Sequence, residues 1–305
     1  MAQEILVVGS TALDTVETAH GKVEDALGGS AFYFSAAASR YAPVQVVGVV
    51  GEDFPLEQLD PLRRLGVSLD GLEIVPGGRT FRWGGRYHAD MMGRDTLFTE
   101  LGVFQAFQPH IPEQARRRPV LFLANIQPSL QLDVLDQMES PLLVVTDTMN
   151  LWIDTALADL KRVIARTHIL IVNDEEARQI TGQRHLLAAA RALLGMGPRT
   201  VVVKKGEHGA LMVGPGSLFA APALPLERVV DPTGAGDTFA GGFVGSLAAE
   251  GRVDEGTLRR AVIRGSALAS FSVEDFSLGR LLSVTPGELE TRLREFAALT
   301  EFTLE

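Results

Sequence analysis

Residues Asp231-Pro232-Thr233-Gly234-Ala235-Gly236-Asp237-Thr238-Phe239-Ala240-Gly241-Gly242-Phe243 combine a turn, an anion-binding surface and a carboxylate just ahead of a helix. Gly234 and Gly236 carry no Cβ, so the chain can turn sharply and present successive main-chain N–H groups to a ligand. Small and apolar side chains then run through 235–250 as a helix, which sets Ala235, Gly236 and Asp237 in its first turn. A helix start offers unpaired donors and the positive end of the dipole, which suits a phosphate or a phosphoryl group in transit. An acid there is either a helix-terminal charge worth ~0.5–1 kcal/mol, or a base that accepts the proton of an attacking hydroxyl. The thirteen residues together favour phosphoryl transfer.

That run resembles the C-terminal signature of the ribokinase-like (PfkB) family of carbohydrate and nucleoside kinases, Asp-x-x-Gly-Ala-Gly-Asp-x-Phe followed by small residues. The resemblance implies that Asp237 is the catalytic base and that Gly234, Ala235 and Gly236 form the anion hole. It also implies that Asp231 belongs to a loop holding a monovalent cation, such as potassium, near the phosphates.

Three further segments fit the nucleotide side of such a site. Asn173-Asp174-Glu175-Glu176 follows an apolar run and reads locally as a helix cap with acids in the first turn. It is similar to the family's Asn-x-x-Glu element, which implies that Asn173 and Glu176 organise the phosphates of ATP and a hydrated magnesium ion. Lys204-Lys205-Gly206-Glu207-His208-Gly209 resembles the strand-end turn that receives the nucleotide, with Lys204 approaching the phosphates and Gly206 and Gly209 shaping the turn. Lysine is found only at positions 22, 161, 204 and 205, which favours phosphate contact over a merely solvated pair. Gly265–Ser270 resembles the family's helix near the adenine and the cation loop.

On the acceptor side, Gly28-Gly29-Ser30-Ala31-Phe32-Tyr33 is a glycine pair leading into a small-residue helix. The resemblance sets Gly28 and Gly29 against substrate hydroxyls and makes Asp14 a carboxylate that accepts hydrogen bonds from two of them. Where many sugar and nucleoside kinases carry Asn, this chain has Tyr33, an aromatic able to stack on a ring. Asn125 and Asn150 follow apolar strands, where open α/β sheets hold ligands, and both are candidates for substrate-side contact. The six histidines show no metal-ligand pairing.

The elements that must position these groups are legible as short β-branched runs at 5–8, 44–50, 120–123, 142–145, 169–172 and 201–203. Helical spacing over 53–65, 129–139, 151–165, 174–195 and 235–250 alternates with them. The pattern predicts an α/β fold, a mainly parallel sheet with helices on both faces. Two segments break the rhythm, and Thr80–His88 mixes aromatic, basic and glycine residues. The resemblance makes them a small β-sheet lid over the substrate, which excludes water from the site. The expected organisation is a kinase domain of 1–10, 20–71 and 101–305, with a lid of 11–19 and 72–100.

A net charge of −10 and the lack of any basic block beyond Arg116–Arg118 argue against nucleic acid and anionic membranes as partners. Apolar runs fall short of a membrane span and no signal segment is visible, so a cytoplasmic protein is expected. With no cysteine, disulfides and thiolate chemistry are excluded. Neither a Walker loop, a Gly-x-Ser-x-Gly elbow nor a Gly-x-Gly-x-x-Gly dinucleotide fingerprint is present. The expected activity is transfer of a phosphoryl group from MgATP to a hydroxymethyl group of a sugar, nucleoside or polyol. The competing readings are a non-catalytic sugar or nucleotide sensor on the same fold and a nicotinamide-dependent oxidoreductase. An apolar lid face would support a homodimer.

Overall fold

Short β-branched runs bury both of their faces when helices cover a parallel sheet, and the computed structural model, which describes residues 2–91, 93–301 and 303, is built in this way. Its strands are β1 (Ile5–Val8), β2 (Ala12–Thr18), β3 (Gly21–Gly28), β4 (Val44–Gly51), β5 (Val67–Val75), β6 (Phe81–Tyr87) and β7 (Arg94–Glu100). There follow β8 (Val120–Leu123), β9 (Leu143–Thr146), β10 (Ile169–Asn173), β11 (Thr200–Lys204), β12 (Ala210–Gly214) and β13 (Ser217–Ala221). Nine form one sheet in the order β13-β12-β11-β10-β9-β8-β1-β4-β5. All neighbours in it are parallel except along the β11-β12-β13 meander.

One core lies between this sheet and the helices Ser30–Ala38, Ala235–Glu250 and Glu255–Ser272. Two further clusters fill the opposite face, one against Pro128–Gln137 and the other against Asp174–Thr181 and Leu186–Leu194, with Leu157–Ala165 contributing to both. Small residues in the three-helix layer bring backbones into contact. A Cβ on Gly241 would stand 2.3 Å from the Phe34 carbonyl oxygen, and one on Gly265 would stand 2.6 Å from that of Phe239. This close approach fixes where the first turn of the Ala235–Glu250 helix opens, beside the start of the Ser30–Ala38 helix.

The small sheet has the order β3-β2-β6-β7 and differs from the expected lid in its strands. Residues 21–28 belong to it, paired antiparallel with β2, whereas 72–75 continue β5 in the large sheet, parallel to β4. The β3 segment Gly-Lys-Val-Glu-Asp-Ala-Leu-Gly is mostly exposed until its last two residues and so carries no apolar alternation. Two expected helices are each divided. The 151–165 stretch breaks at Ala156, and 174–195 breaks after Gly182, which caps Asp174–Thr181 in the left-handed region at φ 70°. The 53–65 stretch is reduced to a 3-10 turn and the short helix Asp60–Arg64.

Candidate active site

The strand ends and two helix starts converge on a set of buried acids, and Asp237 is where they meet. Asp231 is 1% exposed and clamps two loops, Oδ1 accepting from the Thr233 N–H at 2.9 Å and Oδ2 from the Ser277 N–H at 3.2 Å. The chain then turns through Gly234, whose φ of 72° favours glycine and whose Cβ, if present, would lie 2.3 Å from the Tyr33 ring. Among the described residues the amides of Gly234 and Gly236 have no protein acceptor, while Ala235 N–H is drawn to the Pro232 carbonyl at 3.3 Å. The free donors of the expected anion hole are thus the two glycines. Ala235, expected to share that role, is turned inward by the tight turn.

Asp237 lies in the first helical turn and its carboxyl is pushed up to about 7. Burial is the main cause and the Asp147 charge adds to it, whereas Lys204, its own main-chain N–H and Arg94 pull the other way. A carboxylate so poised matches a base working near neutral pH.

Lys204 ends β11 in register with Asn173 at the end of β10. Its ammonium lies 2.7 Å from Asp147 Oδ2, with Asp147 only 3% exposed, and 3.0 Å from where a Cβ on Gly236 would stand. Glu176 and Asp237 also hold its pKa up against burial. One ammonium thus faces three carboxylates at the carboxyl ends of the strands, the usual ligand edge of an open α/β sheet.

Glu176 is pushed up to about 7, chiefly by burial and further by Asp147, with Lys204 opposing. Asn173 and Glu176 form a complete capping box. Asn173 Oδ1 accepts from Glu176 N–H at 2.7 Å, and the two Glu176 oxygens accept from Asn173 N–H at 2.7 Å and Nδ2 at 2.8 Å. Helix capping thus accounts for every direct partner of the Glu176 carboxylate. In the turn after β11, Gly206 has φ 53° with open space beside it. Gly209 has φ 82° and abuts the Ala221 carbonyl, 2.0 Å from the position of a Cβ.

Asp14 is buried on β2, and its carboxyl occupies the space a side chain at Gly28 would need, 2.1 Å from the position of a Cβ. Burial raises its pKa to about 7, helped by the charges of Asp231 and Asp237, with the main-chain N–H of Gly29, at φ 91°, opposing. Tyr33 departs from the expected stacking role. It is 1% exposed, its ring face lies against Gly234, and its buried hydroxyl has no hydrogen-bond partner. It floors the site between Asp14, Asp231 and Asp237, whose charges push its pKa up further after burial.

Asn125 is committed to its neighbours, accepting from Trp152 Nε1 at 2.8 Å and donating to Met149 Sδ at 3.1 Å. Asn150 likewise donates to Gln179 at 2.9 Å. Three residues of the site were given no role in it by the sequence. Asp147 is an acid at a strand end, and Tyr87 and Arg94 lie on the lid. The Tyr87 hydroxyl accepts from Thr233 Oγ1 at 3.1 Å, joining lid to anion loop, and the Arg94 charge reaches both Asp14 and Asp237.

Residues 119–283 match the model of the pfkB family carbohydrate kinases. A cytidine kinase of Thermococcus kodakarensis is 34% identical over 248 residues, 79% of this chain and 87% of that protein. The chain's fold is shared with Methanocaldococcus jannaschii nucleoside kinase, at TM-score 0.76 and 20% identity, covering 96% of this chain and 98% of the other. It is shared also with Arabidopsis thaliana ribokinase complexed with ribose and ATP, at TM-score 0.77 and 22% identity, covering 96% and 99%. The family model and these relatives define a ribokinase-like sugar or nucleoside kinase. The chain belongs to the pfkB family. Among the described residues no helix is long and apolar enough to cross a membrane.

Proposed function

We propose that the chain transfers the γ-phosphoryl group of ATP to the hydroxymethyl group of a ribonucleoside, with free sugars and polyols as weaker acceptors. The observation that carries this reading is the double membership of Asp237. It shares one charge cluster with Asp14, Asp231 and Tyr33, and the other with Asp147, Glu176 and Lys204. An acceptor held by Asp14 and a donor held by Lys204 meet at that carboxylate. Cytidine kinase, the name of the Thermococcus kodakarensis relative, supports a nucleoside over a simple sugar.

Asp14 would accept hydrogen bonds from two acceptor hydroxyls, with Gly28 and Gly29 letting their backbone approach and Tyr33 closing the floor. Asp237 would take the proton of the attacking hydroxyl, and the amides of Gly234 and Gly236 with the Lys204 ammonium would hold the transferring group. Gly206 and Gly209 would leave the turn open for the nucleotide. The free amides beside Lys204 fit a phosphate. The second lone pairs of the Glu176 carboxylate, whose direct partners are both Asn173 donors, fit magnesium held through water. Magnesium would supply charge neutralisation on the phosphates. A potassium ion beside Asp231 would use the remaining lone pairs of a carboxylate that already binds two amides. Leu97, Phe98 and Leu101, exposed on and just after β7, support a homodimer through the lid. Dependence on ATP fits the cytoplasmic setting expected from the sequence.

A screen for ADP release across ribonucleosides, pentoses, hexoses and inositols tests the reading. Turnover fastest with a ribonucleoside is the expected result, and no ADP release with any acceptor contradicts it.

A further inference from the structure

The small sheet does more than cover the acceptor. In its pairing register Asp14 stands beside Trp83 across β2 and β6, and Tyr87 stands opposite Arg94 across β6 and β7. Partners in register and residues two apart along a strand share a face. Consistent with this, the Trp83 ring fills the space above Gly85, 2.2 Å from where its Cβ would stand. Asp14, Trp83, Tyr87 and Arg94 therefore present one surface. The Thr233 hydroxyl donating to Tyr87 shows that this surface faces the anion loop.

Arg94 is held there from two directions. Its guanidinium carbon lies 5.3 Å from the centroid of the Trp83 ring, a cation–π arrangement, and the residue pairs with Tyr87 across β6 and β7. A guanidinium has five donors in a fixed plane, so a stacked ring face leaves its N–H edge for an incoming oxyanion. The residue is itself exposed, and its charge acts on Asp14 and on Asp237 alike. The region within reach of both carboxylates is where an acceptor hydroxyl and a terminal phosphate would meet.

We propose that Arg94 is a catalytic residue carried by the lid, whose guanidinium takes up negative charge on the transferring phosphoryl group as the acceptor hydroxyl attacks. The inference rests on the kinase reading given above. In the step, the acceptor oxygen forms its bond to phosphorus and the bond from phosphorus to the β–γ bridging oxygen breaks. That electron pair leaves with ADP, and the hydroxyl proton goes to Asp237. Arg94 supplies charge and transfers nothing. Lid docking thereby completes the site, because Tyr87 pairs with Arg94 within the lid and binds the Thr233 hydroxyl beside the glycine turn.

The groups that set the ionisation of Asp237 are Asp147 and Lys204 from the strand ends, Asp14 and Arg94 from the lid, Tyr33 from the floor and its own amide. Removing the Arg94 charge leaves the acids of this set less opposed, so the base ionises at higher pH. The test compares Arg94→Met, Arg94→Lys and wild type by kcat, KM for ATP and acceptor, and the pH dependence of kcat/KM, with melting curves to confirm folding. Arg94→Met is expected to lower kcat by about 10²–10³-fold, a typical loss for a transition-state charge donor. ATP affinity should hold, the acid limb should move to higher pH, and Arg94→Lys should recover at least about tenfold. A kcat within about threefold of wild type, or a rise in acceptor KM alone with kcat kept, overturns the proposal. Failure of the kinase reading itself shows separately, as wild-type protein that releases no ADP with any acceptor.

Discussion

The ammonium of Lys204 lies 2.7 Å from Asp147 Oδ2, both groups withdrawn from solvent at the ends of β11 and β9, within reach of the glycine turn at Gly236. A buried ion pair contributes little net stability once its desolvation is counted. Its position matters more than its strength. Asp147 holds a cation where a phosphate would arrive, and the same carboxylate raises the pKa of Asp237 and Glu176.

The two members of that pair should therefore shift the pH profile in opposite directions. We predict that Asp147→Asn moves the acid limb of kcat/KM to lower pH, since a negative neighbour of Asp237 is lost. Lys204→Met should move it to higher pH and weaken ATP binding by about tenfold or more, the scale of a lost charge-assisted contact. Measured profiles that shift together, or not at all, contradict the arrangement.

Much of the sheet and one end of the site were legible in the residues. The runs at 5–8 and 120–123 are strands within those bounds, and 235–250 is a helix, because apolar periodicity and the glycine-rich start are local signals. What stayed hidden was set by tertiary contact. β3 is polar along most of its length and β7 is exposed throughout, so neither carries a pattern. Tyr87 lies in a conspicuous lid segment, Asp147 after an apolar strand and Arg94 in ordinary surroundings, and none of the three has a place in the site until tertiary contact brings lid and strand ends around Asp237. Tyr33 shows the converse, since its type was conspicuous and its burial against Gly234 was not.

Gly28 and Gly29 separate binding from stability. A Cβ at Gly28 meets the Asp14 carboxylate at 2.1 Å, so Gly28→Ala should raise acceptor KM about tenfold or more by displacing that group. Gly29→Ala meets main-chain atoms, the Ser10 oxygen at 2.5 Å, at φ 91°, and should cost about 1–3 kcal/mol of stability. Acceptor kinetics and thermal melts on the two variants check this, and equal effects of both on melting would count against it.

Asp14, Glu176 and Asp237 each titrate at about 7 in the folded chain, against ordinary values of 3.8, 4.5 and 3.8. The native state thus binds more protons than the unfolded one between those limits. The stabilising contribution is full below the ordinary values and is lost as pH rises through about 7. Melting temperatures of the ligand-free protein should fall between about pH 5 and pH 8 from these groups. Asp14→Asn should fall less steeply over the same range. An unchanged slope in that variant contradicts the burial of its charge.

The central claim is that Asp237 accepts the proton of the attacking hydroxyl, and Asp237→Asn tests it most directly, with ATP binding followed by thermal shift beside ADP release. The expected outcome is a loss of kcat of about 10³-fold or more with ATP binding and folding retained. Turnover kept within about tenfold of wild type in a folded, ATP-binding Asp237→Asn protein would contradict it.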